Sequence, residues 1–462
     1  MTIPQKIVDR LNAQGIAYQV IEDVAISPLH PLCSGDQISP ARIVQVAVLE
    51  DSLGRIQALL PADCLLDLQK LGDIKGRNLT AISRDTYRQL ASSLGMEVLP
   101  PLPLNDTLPL VVDQRLLKEP NLYLELNESG HYLTLSQPEF AKLVERAQPG
   151  DFCIPLSRLS QDPNDRAAVD AAVKQFTTLR IRQRLEQTLE MPPLPDTAER
   201  IIQLRIDPDA GVGELASVVE KDPSLAAQVV SWASSPYYAA PGAIRSVHDA
   251  VVRVLGFDLV INLALGLSLS KSIELPKDGP YGVMPYWQQA VYSASLMEGL
   301  VKAMPADYRP SIGLAYLCGL LSNYGYLVLG HVFPPYFRTI NRSIEANPHV
   351  ESFYADQHII GVTRETIASQ LMECWSMPDE VVVGLRWQHH PDYFGEFSAY
   401  PRLLHLSHQL LRSAGLEHGP VHALDDSLFS NLHIAREDAM AALNRVVGQK
   451  DELMKIARRL AG

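Results

Sequence analysis

The spacing of apolar residues changes near residue 160, and this change limits what the chain can fold into. Before that point, short apolar or alternating runs bounded by turn residues predict strands, together with an amphipathic helix over residues 7–15. After it, nearly every segment has helical spacing, and prolines separate the helices because proline removes a backbone hydrogen-bond donor. The sequence therefore predicts an α+β part followed by an all-α part.

The first part contains several short segments with the residue pattern of strands. A hairpin is predicted between the first two of them, since Gly54 supplies a turn conformation that β-branched residues resist. The predicted strands are residues 43–49, residues 57–60, the surroundings of Val98, and residues 110–113, 122–126 and 132–135. These segments account for the β content expected in this part.

Length and composition predict more than one domain. The chain has 462 residues, of which 47% are hydrophobic and 20% charged, as in ordinary globular proteins. A single core rarely grows to this size, so at least two folding units are expected. The predicted boundaries are 1–155 for the first domain, 156–190 for a linker and connecting helix, 191–395 for the second domain, and 396–462 for C-terminal helices packed on it. Because few core patterns cross the polar stretch 157–164, we expect the two parts to fold separately.

Charge and cysteine content exclude several classes of partner. The chain carries 40 Lys and Arg against 53 Asp and Glu, a net charge of -13, which disfavours non-specific attraction to DNA or anionic lipid. Its five cysteines are widely spaced and form no CxxC pair, so neither a disulfide framework nor a zinc ribbon is expected. No signal peptide or membrane span is recognisable. We therefore expect a cytoplasmic protein with no DNA and no membrane partner.

Several ordered motifs mark the second part of the chain. They are Met191-Pro-Pro-Leu-Pro195, Asp207-Pro-Asp209, Glu220-Lys-Asp-Pro223, Trp232-Ala-Ser-Ser-Pro-Tyr-Tyr238, and the stretch 244–265. Together they resemble the HDOD domain, a bacterial signalling module, over about residues 190–395. The resemblance implies an all-α domain that acts by binding.

The same motifs contain residues that suit helix ends. Asp207 or Asp209, and Asp222 before Pro223, can accept hydrogen bonds from the free amides of the helices that follow them. Gly256 has the position of a helix C-cap. These residues are therefore expected to be structural.

The resemblance extends to the HD phosphohydrolases, which hold one or two metals through a His on one helix, a His-Asp pair on another, and a later Asp. In this chain the first position is Gln289, and the pair is replaced by Ser322 and Asn323. Because amide and hydroxyl groups bind first-row divalent ions poorly, the resemblance implies no catalytic metal and no cofactor here. His389 and His390 resemble the late His pair of the family, and without their partners we interpret them as hydrogen-bonded groups at a helix end.

Two aromatic residues in a loop are candidates for an interaction. Large aromatics at helical spacing are usually core residues, but Tyr237 and Tyr238 follow Pro236, where a loop can expose them. We therefore retain Tyr237 and Tyr238 as possible interaction residues.

Segments of the first part, residues 39–49, 58–63, 65–68 and 95–104, resemble the YbaK and prolyl-tRNA-synthetase-associated editing domains. Those domains hydrolyse misacylated tRNA esters and commonly rely on a Lys near the central strand. The resemblance places Gln45 at that position. A neutral amide cannot supply the charge-assisted contact of an ammonium group, and this part of the chain has more acidic than basic residues. We therefore expect an inactive domain with no tRNA partner.

The sequence favours a two-domain, non-catalytic signalling or scaffold protein that binds a protein partner or a ligand through its HDOD domain. One alternative is a metal-dependent phosphohydrolase with an unconventional ligand set drawn from His331, His389, His390 and Asp392. Another is an aminoacyl-tRNA editing deacylase in which a different group has replaced the missing lysine. Metal analysis separates the first alternative from the main hypothesis, and a deacylation assay separates the second.

Overall fold

A computed structural model describes most of the chain. The described residues are 5–21, 38–93, 95, 99–103, 108–125, 132–159, 167–168, 170–171, 194–239, 242–270, 283–332, 334–422 and 424–461. Most of the predicted linker and connecting helix over 156–190 lies outside them, as does the strand expected around Val98. The chain forms two compact units, one of residues 1–160 with 338–359 and one of residues 161–337 with 360–462.

The first unit is built around a mixed sheet. In the described residues its strands follow the order β1-β8-β7-β2-β3-β6-β9, with β5 also paired to β2, and β4 and β10 form a separate antiparallel pair. The strands are β1 (Gln19–Ile21), β2 (Ile43–Asp51), β3 (Gly54–Pro61), β4 (Cys64–Leu66), β5 (Thr80–Ala81), β6 (Leu110–Asp113), β7 (Asn121–Glu125), β8 (Tyr132–Ser136), β9 (Gln148–Gly150) and β10 (Cys153–Pro155).

The predicted hairpin joins β2 and β3, which pair antiparallel with Asp51 opposite Gly54. Gly54 has φ +116, a backbone conformation that side chains resist, and this explains the glycine in the turn. Alternate residues of β2 face two different cores. Val44 belongs to a cluster with Leu122 and Leu133, whereas Ala47 belongs to another cluster on the opposite face.

Among the described residues of 1–160, the first unit has four α-helices. They are Gln5–Ala13, Leu68–Lys75, Arg84–Ser93 and Gln137–Leu143. The helix Leu68–Lys75 is capped at its start by Asp67, whose Oδ1 accepts hydrogen bonds from the amides of Gln69 at 3.0 Å and Lys70 at 3.1 Å. The cap fixes the direction in which the chain leaves β4.

Segment 338–359 also belongs to the first unit, although it lies almost 180 residues further along the chain. The Asn347 side chain pairs with the backbone of β4: its Oδ1 accepts from the Leu66 amide at 2.7 Å, and its Nδ2 donates to the Leu66 carbonyl at 3.1 Å. Nε2 of His349 lies 3.0 Å from the Cys64 carbonyl oxygen, and Nε2 of His358 lies 3.4 Å from Oδ2 of Asp67. Asn347 and His349 thus provide partners for backbone groups of β4, which would otherwise lie unpaired at the edge of that strand.

The same segment contributes apolar side chains to the first unit. Ala346 lies in the cluster that contains Ala47, and Val350 packs in a cluster with Leu65 and Leu156. The range predicted for the second domain, 191–395, therefore includes residues that belong to the first unit, whereas separate folding of the two parts stays a prediction. Part of the first unit's core comes from within the residue range that the sequence assigns to the helical domain.

The second unit is helical throughout its described residues. Its α-helices, together with the two that cross the division between units, are Asp196–Ile206, Val212–Glu220, Pro223–Ala233, Val247–Ala250, Phe257–Ser270, Val283–Ala303, Ile312–Leu321, Tyr324–Val332, Pro334–Ala346, Phe353–Ile360, Arg364–Cys374, Asp379–Trp387, Ala399–Ser413, Asp426–Ser430, Arg436–Gly448 and Lys450–Ala461. The α+β and all-α character predicted for the two parts is confirmed.

The predicted capping residues are only partly in their expected places. Asp222 caps the helix that begins at Pro223, since its side chain accepts from the Leu225 amide at 3.0 Å. Gly256 has φ +81 and ends the preceding helical turn. Asp207 and Asp209 do not cap the next helix. That helix begins after Gly211, whose amide donates to the Glu214 side chain at 3.2 Å.

One stretch of the described chain, residues 312–331, is long and apolar enough to cross a membrane by length and composition alone. Its most apolar window is 89% buried inside the fold, and it is interrupted at Ser322 and Asn323. Burial of this kind is typical of a core helix.

A fragment of residues 1–160 is expected to be less stable than the first unit in the full chain. Without Asn347, the amide and carbonyl of Leu66 lose their partners, at a cost of about 1–3 kcal/mol for each buried group. Urea unfolding of the fragment, followed by circular dichroism, should show a higher midpoint when a synthetic peptide of residues 338–359 is added. A peptide with Asn347→Ala is the matched control. A fragment that unfolds at the same urea concentration with and without the peptide would show that residues 1–160 fold without segment 338–359.

Candidate functional site

The break between helices Ile312–Leu321 and Tyr324–Val332 holds two of the positions where the resemblance places metal ligands, Ser322 and Asn323. Gly319 brings this region close to helix Val283–Ala303, because a Cβ at Gly319 would lie 2.7 Å from the Cα of Ala294. Only glycine permits the two helices to approach so closely.

The third such position, Gln289, lies on helix Val283–Ala303 and contacts Asn323. Nδ2 of Asn323 donates a hydrogen bond to Oε1 of Gln289 at 2.8 Å. The fold therefore brings together the positions that the resemblance assigns to the metal, and neutral amides join there by a direct hydrogen bond. Neutral amides are weak ligands for divalent transition metals.

Ser322 lies beside a second amide, that of Gln388. Nε2 of Gln388 donates to the Ser322 carbonyl at 3.3 Å and to the Leu385 carbonyl at 3.0 Å. The Ser322 hydroxyl donates to the Gly319 carbonyl at 2.9 Å. Both residues are almost fully buried, with 3% of Ser322 and 2% of Gln388 exposed. Because buried polar groups need hydrogen-bond partners, these bonds stabilise both side chains in the interior.

The hydrogen-bond chain continues from Gln388 into helix Ala399–Ser413. Nε2 of His408 lies 3.0 Å from Oε1 of Gln388, and Nδ1 of the same ring lies 2.8 Å from Oε2 of Glu417. The other oxygen of Glu417 accepts from Nε of Arg412 at 3.2 Å. The His408 ring thus faces an acceptor on both sides, and both of its nitrogens are engaged.

His389 pairs with a buried carboxylate. Its Nε2 lies 3.2 Å from Oε1 of Glu365, at the start of helix Arg364–Cys374. Burial opposes ionisation of Glu365, but the His389 ring and the Arg364 guanidinium hold the pKa of this carboxyl below its ordinary value. The helix can lie here because Gly325 has no Cβ, which would otherwise come within 2.1 Å of the Arg364 carbonyl oxygen.

The remaining residues of the alternative metal set do not join this cluster as ligands. The His390 ring packs edge-on against Trp387 with ring centroids 5.3 Å apart. His331 and Asp392 are exposed. Among the described residues, no group of three or more His, Cys, Asp and Glu side chains is arranged to hold a metal ion.

Tyr237 and Tyr238 direct their hydroxyls towards helix Val283–Ala303. The Tyr237 hydroxyl donates to the Ser295 carbonyl at 3.1 Å, and the Tyr238 hydroxyl donates to Oε2 of Glu298 at 2.9 Å. Burial raises the pKa of both phenols. Their rings remain partly exposed, so they combine a packing role with a limited accessible surface.

In the first unit, Gln45 lies on β2 opposite Leu60 of β3. It is partly exposed and shares a face of the sheet with Ala47, whose cluster includes Ala346 of segment 338–359. At the place where the resemblance expects a lysine, the sheet therefore presents a neutral amide.

Sequence reasoning missed most of the hydrogen-bond chain. It did not identify Glu365, His408 or Glu417, which belong to no motif on which the resemblance depends, and it gave no role to Gln388, which directly precedes the late His pair. A sequence signal existed for two of them. Gln388 directly precedes His389, and His408 lies on the apolar, buried side of a strongly amphipathic helix.

Two protein-family models match the chain. The model of the HDOD domain matches residues 191–391, and the model of the aminoacyl-tRNA editing domain matches residues 30–143. The two matches fall in the helical part and in the sheet-containing part, respectively.

Solved and curated proteins extend the comparison. A crystal structure of a "Putative signal transduction protein" from Marinobacter aquaeolei VT8 is 41% identical, covers 100% of both chains and has a TM-score of 0.88. An HDOD domain protein with unknown function from Geobacter sulfurreducens is 19% identical over 63% of this chain and 96% of its own, with a TM-score of 0.47. An uncharacterized protein from Treponema pallidum (strain Nichols) is 22% identical over 200 residues, or 43% of this chain and 38% of that protein.

The match to the Marinobacter protein extends over the full length of both chains, and the two family models account for the separate parts. The chain therefore belongs to the same family as the Marinobacter protein, and it is an HDOD-domain protein with an N-terminal aminoacyl-tRNA editing domain of the YbaK type.

Proposed function

We propose that this chain is a non-catalytic signalling protein whose HDOD domain acts by binding a protein partner. The observation that carries the proposal is the hydrogen bond between Asn323 and Gln289, at the position where related hydrolases hold a metal. Two neutral amides satisfy each other there. A divalent ion would have to break this bond and would receive only weak ligands in return.

The histidines near this position also support a structural role. His389 is paired with Glu365, and His408 lies between Gln388 and Glu417. A histidine that ligates a metal needs one ring nitrogen free for the ion. Both nitrogens of His408 already face protein acceptors, so this ring stabilises the packing of helices around Ser322.

A helical domain without metal chemistry would act through its surface. Because one fold can host many unrelated functions, a binding role is compatible with the fold of a hydrolase. The name of the Marinobacter protein, which is similar along its whole length, agrees with a signalling role.

The first unit fits the same proposal as an accessory binding domain. Gln45 offers hydrogen bonds from its amide, but it has no charge with which to hold the ester or phosphate groups of an aminoacyl-tRNA. The net charge of -13 on the chain also opposes association with an RNA backbone.

An editing deacylase is the second candidate, and the family match over residues 30–143 favours it. Gln45 is partly exposed, so a substrate has access to this position. Deacylation of misacylated tRNA separates the two candidates.

Partner binding can be tested by recovering the tagged full-length chain from its source cell after lysine cross-linking. We expect a specific partner whose cross-links map to residues 194–332 and 360–461, because the HDOD domain provides the binding surface. The matched control is the Gln45→Lys variant, which alters only the first unit and should recover the same partner. Recovery of no partner, or cross-links confined to residues 5–159, would contradict the proposal.

Deacylation of misacylated tRNA by the full-length chain tests the second candidate. We expect no activity from the wild type, because residue 45 carries no charge. The Gln45→Lys variant should bind tRNA about tenfold more tightly, since a hydrogen bond to a charged group contributes roughly 1.5–3 kcal/mol and the acidic surface offsets part of that gain. Gln45→Met is the uncharged control. Deacylation by the wild type that disappears in Gln45→Ala would show that the domain is an altered but active enzyme.

A further inference from the structure

We propose that segment 338–359 is a coupling element that links the β4 edge of the first unit to the helices that surround Asn323 and Glu365. The proposal concerns conformational coupling within the chain, and it does not depend on the partner-binding role proposed above. It follows from where the segment is held and from which helices it joins in sequence.

The segment is held at β4 by directional hydrogen bonds. Asn347 uses both its amide oxygen and its amide nitrogen on the backbone of one residue, Leu66, and its Nδ2 also donates to the Ser343 carbonyl at 2.8 Å. His349 lies 3.0 Å from the carbonyl of Cys64. If the segment moved along β4 by one residue, all of these hydrogen bonds would break together. We therefore expect the segment to be either docked on β4 or undocked, without a stable intermediate position.

The docking site is adjacent in structure to the strand that carries Gln45. Leu60, opposite Gln45, lies near the end of β3, and β4 begins only three residues after that strand ends. The connecting Ala62 donates its amide to the carbonyl of Ile43 at 2.9 Å, which ties the connection to the start of β2. A ligand that displaced β2 or the end of β3 would therefore also displace β4.

On both sides of the segment the chain leads to helices that adjoin Asn323 or contain Glu365. Upstream, helix Tyr324–Val332 follows immediately after Asn323 and is separated from helix Pro334–Ala346 by one residue. Downstream, helix Phe353–Ile360 is followed after three residues by helix Arg364–Cys374, which contains Glu365.

These two flanking helices pack against each other inside the second unit. Gly325 allows the contact, because its backbone meets the carbonyl of Arg364. The segment thus leaves one of two packed helices and returns to the other. Because the chain is continuous, a conformational change at the contacts with β4 can reach these helices, and a change in the helices can reach β4. The coupling therefore requires movement of segment 338–359 alone.

Hydrogen exchange of the full-length chain, measured by mass spectrometry, tests this proposal. In Asn347→Ala the amide of Leu66 loses its acceptor, so exchange in a peptide covering residues 64–67 should become about tenfold faster. Peptides covering 324–332 and 364–374 should also exchange faster. Glu345→Gln is the matched control, because Glu345 lies two residues before Asn347 in the same segment, is exposed and should leave both regions unchanged.

The coupling must act in both directions if it is an equilibrium property. Asn323→Leu, which removes the hydrogen bond to Gln289, should therefore accelerate exchange at residues 64–67. If Asn347→Ala proves unfolded, Asn347→Asp serves as the second variant, because it keeps the acceptor for the Leu66 amide and removes the donors to the carbonyls of Leu66 and Ser343. Faster exchange confined to residues 64–67, or no change there, would overturn the proposal. Neither result depends on whether a protein partner is found.

Discussion

Polar groups that a fold takes out of water require hydrogen-bond partners, and two asparagines of this chain make such bonds: Asn347, which is buried, and Asn323, which is half-buried. Asn323 bonds Gln289 at the positions where the resemblance to the HD phosphohydrolases places metal ligands, and Asn347 bonds the backbone of β4 in the first unit. A neutral amide is well suited to both tasks, because it donates and accepts at once without the desolvation cost of a charge. At the positions of Gln289 and Asn323 the same amide chemistry offers only weak ligands to a divalent metal.

One element of the chain connects the sheet of the first unit with the positions of Asn323 and Glu365. Segment 338–359 joins the first unit by side-chain hydrogen bonds to β4. Asn323 directly precedes the helix Tyr324–Val332 on one side of the segment, and Glu365 lies in the helix Arg364–Cys374 on the other side. We propose that this connection lets a change at β4 reach the helical unit, as a chain that binds and responds requires.

Local sequence patterns were sufficient for much of the fold. The strand over residues 110–113 has its predicted bounds, Gly54 makes the expected turn, and Asp222 caps the expected helix, because each depends on neighbouring residues alone. The positions of Gln289, Ser322 and Asn323 were identified from ordered motifs. The bond from Asn347 to Leu66 spans 281 residues and has no local pattern, so the sequence could not reveal it. The pairing of His389 with Glu365 was hidden for the same reason, since their contact depends on how the helices pack.

We propose that hydrogen bonds, and not a metal, occupy the site formed by Gln289, Ser322 and Asn323. The most direct measurement is elemental analysis of the purified full-length protein after incubation with Mn²⁺ and Zn²⁺ and removal of free ions, combined with an assay of phosphodiester hydrolysis. We expect far less than one bound metal per chain and no phosphodiester hydrolysis. About one tightly bound transition metal per chain, lost together with hydrolytic activity in a folded His389→Gln variant, would contradict it.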